Sequence, residues 1–174
     1  EDFYGSIGEI YKDNVDIILC ESMSSIFEGT NASTVAKEFS ERVWLSWTNR
    51  GHQPDQLPST ETLSNAVDFS IQADVECTLI NCSHADMASN SIKELKRAPK
   101  FGIFANSSRF KEVDLSIATK DVDAIHHLNS ETISAKEYAL NALDWAKEGA
   151  FVVGGCCGTT VEHTKEIKLL LNSK

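Results

Sequence analysis

The sequence has little of what marks several common protein classes. No apolar run approaches the roughly 20 residues a bilayer-spanning helix needs, so no membrane association is expected. The N-terminus lacks the basic start and continuous apolar stretch of a secretory leader. Positive charge is scarce: 16 Lys and Arg stand against 26 Asp and Glu, a net charge of −10. A chain so acidic is a poor partner for a phosphate backbone, and no nucleic acid is expected. Proline is rare, with 3 residues, while 41% of the chain is hydrophobic and 24% charged. That balance describes a soluble globular protein rather than a disordered one. The five cysteines (Cys20, Cys77, Cys82, Cys156 and Cys157) are odd in number and two are adjacent. They do not resemble the disulfide framework of a secreted domain. Thiols or metal ligands in a reducing, cytoplasmic compartment fit better.

With 174 residues the chain can bury one real core and is too short for two ordinary domains, so residues 1–174 are read as a single domain. Residue 1 is Glu, and Phe3, Tyr4, Ile7, Ile10 and Tyr11 already follow helical spacing. The chain is therefore read as beginning inside an element, as a fragment would.

Five short apolar runs recur, at Val15–Cys20, Val43–Thr48, Cys77–Cys82, Phe101–Asn106 and Phe151–Gly154. They are continuous rather than alternating, as in parallel strands covered on both faces. Helical patterns lie between them: Ala32, Val35, Ala36 and Phe39; Leu63, Ala66, Val67 and Ile71; Ile92 and Leu95; Tyr138, Ala139 and Leu143; and Ile167, Leu170 and Leu171. Ser134 with Glu137, and Thr159 with Glu162, read as capping boxes. The order is a helix followed by five strand–helix units, which implies an α/β fold with a parallel sheet. The stretch from Ser107 to about Ile133 shows little periodicity and reads as an irregular loop. A doubly wound sheet and part of a (β/α)8 barrel both satisfy this pattern, and periodicity does not separate them.

The last strand ends Val153-Gly154-Gly155-Cys156-Cys157-Gly158-Thr159-Thr160. Adjacent side chains of a strand point to opposite faces, so two neighbouring cysteines converge only if the backbone leaves the strand there. The glycines permit that turn. The alternative is a pair of small buried cysteines in a glycine turn. The third run ends Asn81-Cys82-Ser83, and in a parallel sheet all strand C-termini share one face. Three thiolates from two strand ends would suit a zinc site with its fourth position open.

Gly-Gly-Cys-Cys-Gly-Thr-Thr followed by Glu162-His163, with the upstream Asn81-Cys82, resembles the homocysteine S-methyltransferase family. The weaker segments Cys20-Glu21-Ser22, Leu45-Ser46-Trp47-Thr48, Ala105-Asn106-Ser107 and Tyr138 through Trp145 to Gly149-Ala150 extend the resemblance over essentially the whole chain. The resemblance implies the C-terminal part of a (β/α)8 TIM barrel, with about five β/α units. It also implies Zn2+ held by Cys82, Cys156 and Cys157, and methyl transfer from a small donor to the thiol of homocysteine or a close thiol or selenol analogue, forming methionine or its analogue. Glu21 matches the acidic residue that binds the homocysteine amino group, and Asn106 stands as a second substrate-binding candidate or a local cap. Val161 replaces the proline usual in the family's last helix. The family's Asp-Gly-rich first strand has no counterpart, and residue 1 would fall in the helix before the fourth strand.

Other residues are read more plainly. Cys20 and Cys77 are expected to be packing residues, His84 a solvent-exposed loop histidine, and His126-His127 loop or strand surface. His163 is read either as support for the metal site or as a first-turn helix residue. Trp44, Trp47, Trp145 and Phe104 are the aromatic candidates for holding a cationic donor. Two alternatives to the enzyme stay open: a zinc-binding remnant without turnover, and a redox protein built on Cys156-Cys157. A homo-oligomer also stays open.

Overall fold

The computed structural model describes residues 2–110 and 130–173. Helix α1 (Asp2–Tyr11) precedes β1 (Ile18–Met23), α2 (Ile26–Phe39), β2 (Val43–Trp47), α3 (Leu63–Gln72), β3 (Cys77–His84), α4 (Ala85–Leu95) and β4 (Phe101–Asn106). Two short strands, β5 (Ser108–Phe110) and β6 (Ser130–Thr132), pair antiparallel. Then come α5 (Ala135–Lys147), β7 (Val152–Gly155) and α6 (Val161–Asn172). All five apolar runs form strands, the first starting at Ile18 rather than Val15 and running on to Met23. The stretch expected to be an irregular loop has β5 and β6 at its ends; His126 and His127 lie outside the described residues.

The five long strands are parallel, and their order in the sheet is their order in the chain, β1-β2-β3-β4-β7. This order decides between the two architectures. A doubly wound sheet reverses direction at a switch point and carries helices on both faces. Sequential order with right-handed crossovers sends every helix to the same side, which is the winding of a (β/α)8 barrel. The sheet is an arc of such a barrel.

Alternation sorts the side chains. Val43, Leu45 and Trp47 of β2, Thr78 and Ile80 of β3, and Phe101, Ile103 and Ala105 of β4 are buried on the helix side. The Trp47 indole donates to Ser70 Oγ of α3 at 3.0 Å. Its ring closes on Gly29 of α2, where a Cβ would come within 2.4 Å. The opposite face carries one cross-strand row of Ser46, Leu79, Gly102 and Val152, and above it Asn81, Phe104 and Gly154.

Both ends of the sheet are tied by polar groups. At the N-terminal end, Glu76 accepts from Arg42 Nε at 2.9 Å, Lys100 Nζ at 3.0 Å and the Trp44 indole at 3.1 Å. At the C-terminal end, the buried Tyr138 hydroxyl lies 2.8 Å from Ala105 O and 2.7 Å from Gly154 O, bridging β4 and β7 from α5. The Ser134–Glu137 capping box forms as expected. The last helix is capped one residue later than expected: its N-cap is Thr160, and Thr160 N donates to Nδ1 of His163 at 3.1 Å. Thr159 and Glu162 form no such box; Thr159 serves the cysteine turn described below.

Hydrogen bonds from Arg42, Lys100 and Trp44 lower the Glu76 pKa to about 2. An unfolded Glu titrates near 4.3, so this contribution is complete above that pH and is lost as pH falls toward about 2. Glu76→Gln should therefore flatten the stability-versus-pH curve over this acid range in denaturant titrations. An unchanged slope would contradict the assignment.

Candidate metal and substrate site

Strand β3 pairs regularly with β4 as far as Asn81, then shifts register before His84. Cys82 lies in that irregularity with φ of 51°, a left-handed conformation that costs a non-glycine residue about 1–2 kcal/mol. The bulge takes the Cys82 side chain out of strand alternation.

The vicinal cysteines are held by the end of β4. Cys156 N donates to Ala105 O at 2.8 Å, and Ser107 N to Cys157 O at 3.0 Å. Asn106 Oδ1 accepts from Cys157 N at 3.0 Å. Thr159 Oγ1 donates to Cys156 O at 2.7 Å. Gly158 closes the turn with φ of 76°, and a Cβ there would lie 2.6 Å from Ser107 Oγ. A side chain there would be strained in φ and would have to displace the Ser107 hydroxyl.

The result is convergence. Cys82 Sγ lies 3.6 Å from Cys157 Sγ, and Cys156 Sγ lies 3.9 Å from Cys157 Sγ. All three sulfurs lie within 4.8 Å of one another. Sulfurs bound tetrahedrally to zinc at about 2.3 Å stand about 3.8 Å apart, so the donor set fits such an ion with little movement. Cys82 and Cys156 are half-buried and Cys157 is exposed, which leaves the sulfurs open to an incoming ligand on one side. Burial first, then the charges of the Cys156 and Cys157 sulfurs, push the Cys82 thiol up to about 12. The Cys156 thiol is raised by burial and by Cys157. A divalent cation at this point reverses that electrostatic logic. A third sulfur at the same spacing also removes the motive for a vicinal redox pair.

Glu21 is exposed at the end of β1, in a register irregularity between Cys20 and Met23. The next residue, Ser22, has φ of 63° and is bound twice by Asn81: Ser22 N donates to Asn81 Oδ1 at 3.0 Å, and Asn81 Nδ2 to Ser22 Oγ at 2.7 Å. Ser46 Oγ also donates to Asn81 Oδ1, at 2.7 Å. Asn81 is wholly buried and joins the C-terminal ends of β1, β2 and β3. Its role, like that of Thr159, was not read from the sequence. The available signal was a lone amide closing the otherwise apolar run Leu79-Ile80-Asn81.

Of the remaining candidates, Asn106 stands at the site and the others are spread over the sheet and helices. Asn106 holds the cysteine turn through a backbone amide. Cys20 and Cys77 are buried packing residues. His84 is half-buried at the end of β3 rather than in an exposed loop, and its Nδ1 lies 2.8 Å from Ser108 Oγ. His163 is buried in the first turn of α6, with its ring edge-on to Tyr138. Trp47 and Trp145 are core residues, and Trp145 donates to Ser89 Oγ. Trp44 serves the opposite end of the sheet through Glu76. Of the aromatic candidates, Phe104 shares the row with Asn81 and covers Gly154, where a Cβ would meet its ring at 2.8 Å.

The homocysteine S-methyltransferase family model matches residues 1–171. The chain belongs to the homocysteine S-methyltransferase family. Homocysteine S-methyltransferase YbgG of Bacillus subtilis is 25% identical over 155 residues, covering 87% of this chain and 45% of the relative. Crystal structures of the homocysteine methyltransferase MmuM from Escherichia coli share the fold. Its apo form superposes with a TM-score of 0.67 at 17% identity, over 97% of this chain and 57% of that one. Its metallated form gives 0.68 at 17% identity, over 97% and 51%. The chain spans about half the length of these relatives. No described helix is long and apolar enough to cross a membrane.

The three-sulfur cluster makes a direct prediction. The purified chain should bind one equivalent of zinc by elemental analysis, and Cys82→Ser, Cys156→Ser and Cys157→Ser should each lose it. Asn106→Ala keeps all three sulfurs but frees the Cys157 amide, and should weaken zinc about 10- to 100-fold in chelator competition. Unchanged affinity would contradict the role given to Asn106.

Proposed function

We propose that the site binds Zn2+ through Cys82, Cys156 and Cys157, and methylates the thiol of homocysteine, forming methionine. The observation that carries this reading is the meeting of three sulfurs within 4.8 Å of one another at the C-terminal end of the sheet; Glu21, near the end of β1, is the residue we assign to the substrate. Membership of the family supports the choice of substrate. A zinc ion held there would keep the substrate sulfur deprotonated and in place.

The chain's own residues supply the rest. Three thiolates give the site excess negative charge, which keeps the incoming sulfur electron-rich; three neutral imidazoles would suit water activation instead. The exposed side of Cys157 leaves room for the substrate. The Glu21 carboxylate receives the substrate ammonium in a charge-assisted hydrogen bond. Asn106 and Thr159 hold the cysteine turn so that the sulfurs need not reorganise when substrate arrives. In the transfer, a bond forms between the homocysteine sulfur and the methyl carbon. The bond from that carbon to the donor's heteroatom breaks, its electron pair staying with the donor. Attack by an anionic sulfur on a cationic sulfonium or ammonium donor cancels charge, so a water-poor pocket favours it.

The test is transfer of isotopically labelled methyl to homocysteine from S-methylmethionine, S-adenosylmethionine, betaine or a methylated folate. Labelled methionine should form with the zinc-loaded chain and disappear on chelation; zinc-loaded protein that fails to bind homocysteine would contradict the proposal. Glu21→Gln should retain zinc and weaken homocysteine about 10- to 100-fold, the loss of one charged hydrogen bond, measured by calorimetric titration.

A further inference from the structure

We infer that Asn81 is a positioning residue that sets the separation between the two anchors of the substrate, and so selects amino thiols by chain length. The inference deepens the homocysteine reading and rests on it. Homocysteine carries its ammonium and its sulfur at opposite ends of a short carbon chain. An amino thiol held at both ends would have to match the distance from Glu21 to a metal ion held by Cys82, Cys156 and Cys157, and cysteine is one methylene shorter.

Three observations place that distance under the control of Asn81. Its side chain is wholly buried, and three hydrogen bonds occupy it: Oδ1 accepts from Ser22 N and Ser46 Oγ, and Nδ2 donates to Ser22 Oγ. Next, Asn81 directly precedes Cys82, while its partner Ser22 directly follows Glu21. One amide therefore links the residue after the carboxylate to the residue before the thiol. Finally, both of those neighbours are strained. Ser22 has φ of 63° and Cys82 φ of 51°, and both strands shift register there. Left-handed conformations at non-glycine residues persist only where the surroundings over-determine them. Asn81 supplies that constraint at Ser22 through its side chain and at Cys82 through its own place in β3. Ser46, on the strand between, fixes the amide's orientation so that β1, β2 and β3 act as one unit. Without the amide, the end of β1 can move against β3, and the site loses its measure of length.

The test uses zinc-loaded wild-type chain, Asn81→Ser and Ser22→Gly. Ser22→Gly removes the Oγ acceptor and relaxes the φ restriction while leaving Asn81 in place, so it decides the matter if Asn81→Ser fails to fold. Each protein is titrated calorimetrically with homocysteine, cysteine and 4-mercaptobutanoate, which is homocysteine without its amino group. One misplaced methylene costs about tenfold or more in a fitted site, so the wild type should prefer homocysteine over cysteine by at least about that factor. Both variants should keep one equivalent of zinc; Asn81→Ser should lose most of the preference, and Ser22→Gly, which keeps two of the three bonds to Asn81, should lose a measurable part of it. Their affinity for 4-mercaptobutanoate, held at the sulfur end alone, should change less than about twofold, roughly 0.4 kcal/mol. Loss of zinc, equal weakening of all three thiols, or an intact preference in the variants would overturn the inference while leaving the methyltransferase reading standing. A wild-type chain that binds zinc but none of the thiols would overturn both.

Discussion

Neighbouring strands of a sheet lie about 4.8 Å apart, so β3 and β7, with β4 between them, are separated by about 10 Å. Their sulfurs nevertheless approach to 3.6 Å. Closing that gap is the constraint on which the rest of this end of the molecule depends. Each strand must abandon regular geometry at its last residues and lean across β4. The bulge at Cys82 does so on one side, and the glycine turn at Cys156-Cys157 on the other. The end of β4 is their common support, since Ala105, Asn106 and Ser107 all bond to the cysteine turn.

The same constraint explains where the polar groups of the sheet are spent. A left-handed Cys82 or Ser22 costs about 1–2 kcal/mol, and a typical intramolecular hydrogen bond contributes about 1 kcal/mol. Single contacts would not hold either conformation. Asn81 concentrates three bonds on the β1–β2–β3 side, and Asn106 with Thr159 brace the β4–β7 side. Tyr138 adds a hydroxyl between the last two strands from the helix layer. Leu45, Trp47, Ile80 and Ile103 are fully buried on the other face, which fixes the platform against which the strained ends are held.

Much of this architecture was legible in the sequence, because its signals are local. Continuous runs such as Cys77–Cys82 and Phe101–Asn106 mark strands without reference to anything distant. Gly154, Gly155 and Gly158 around two cysteines announce that the chain turns there. The ambiguity between a doubly wound sheet and a barrel arc needed the strand order, which no single segment encodes. The cap of α6 was misplaced because Thr159 and Thr160 are both competent oxygens. Thr159 is drawn away by the Cys156 carbonyl, leaving Thr160 to His163. Asn81 was missed for a different reason: its partners Ser22 and Ser46 lie 59 and 35 residues upstream, so nothing nearby advertises its role. The tryptophans misled in the same way, since the face on which Trp47 lies follows from strand register and not from proximity to a strand end.

X-ray absorption at the zinc edge of the loaded chain, before and after addition of homocysteine, is the measurement that tests this account most directly. Three sulfur scatterers at about 2.3 Å, joined by one light atom, should give way to four sulfurs when the thiol is added. Two or fewer protein sulfurs, or a coordination shell unchanged by homocysteine, would contradict it.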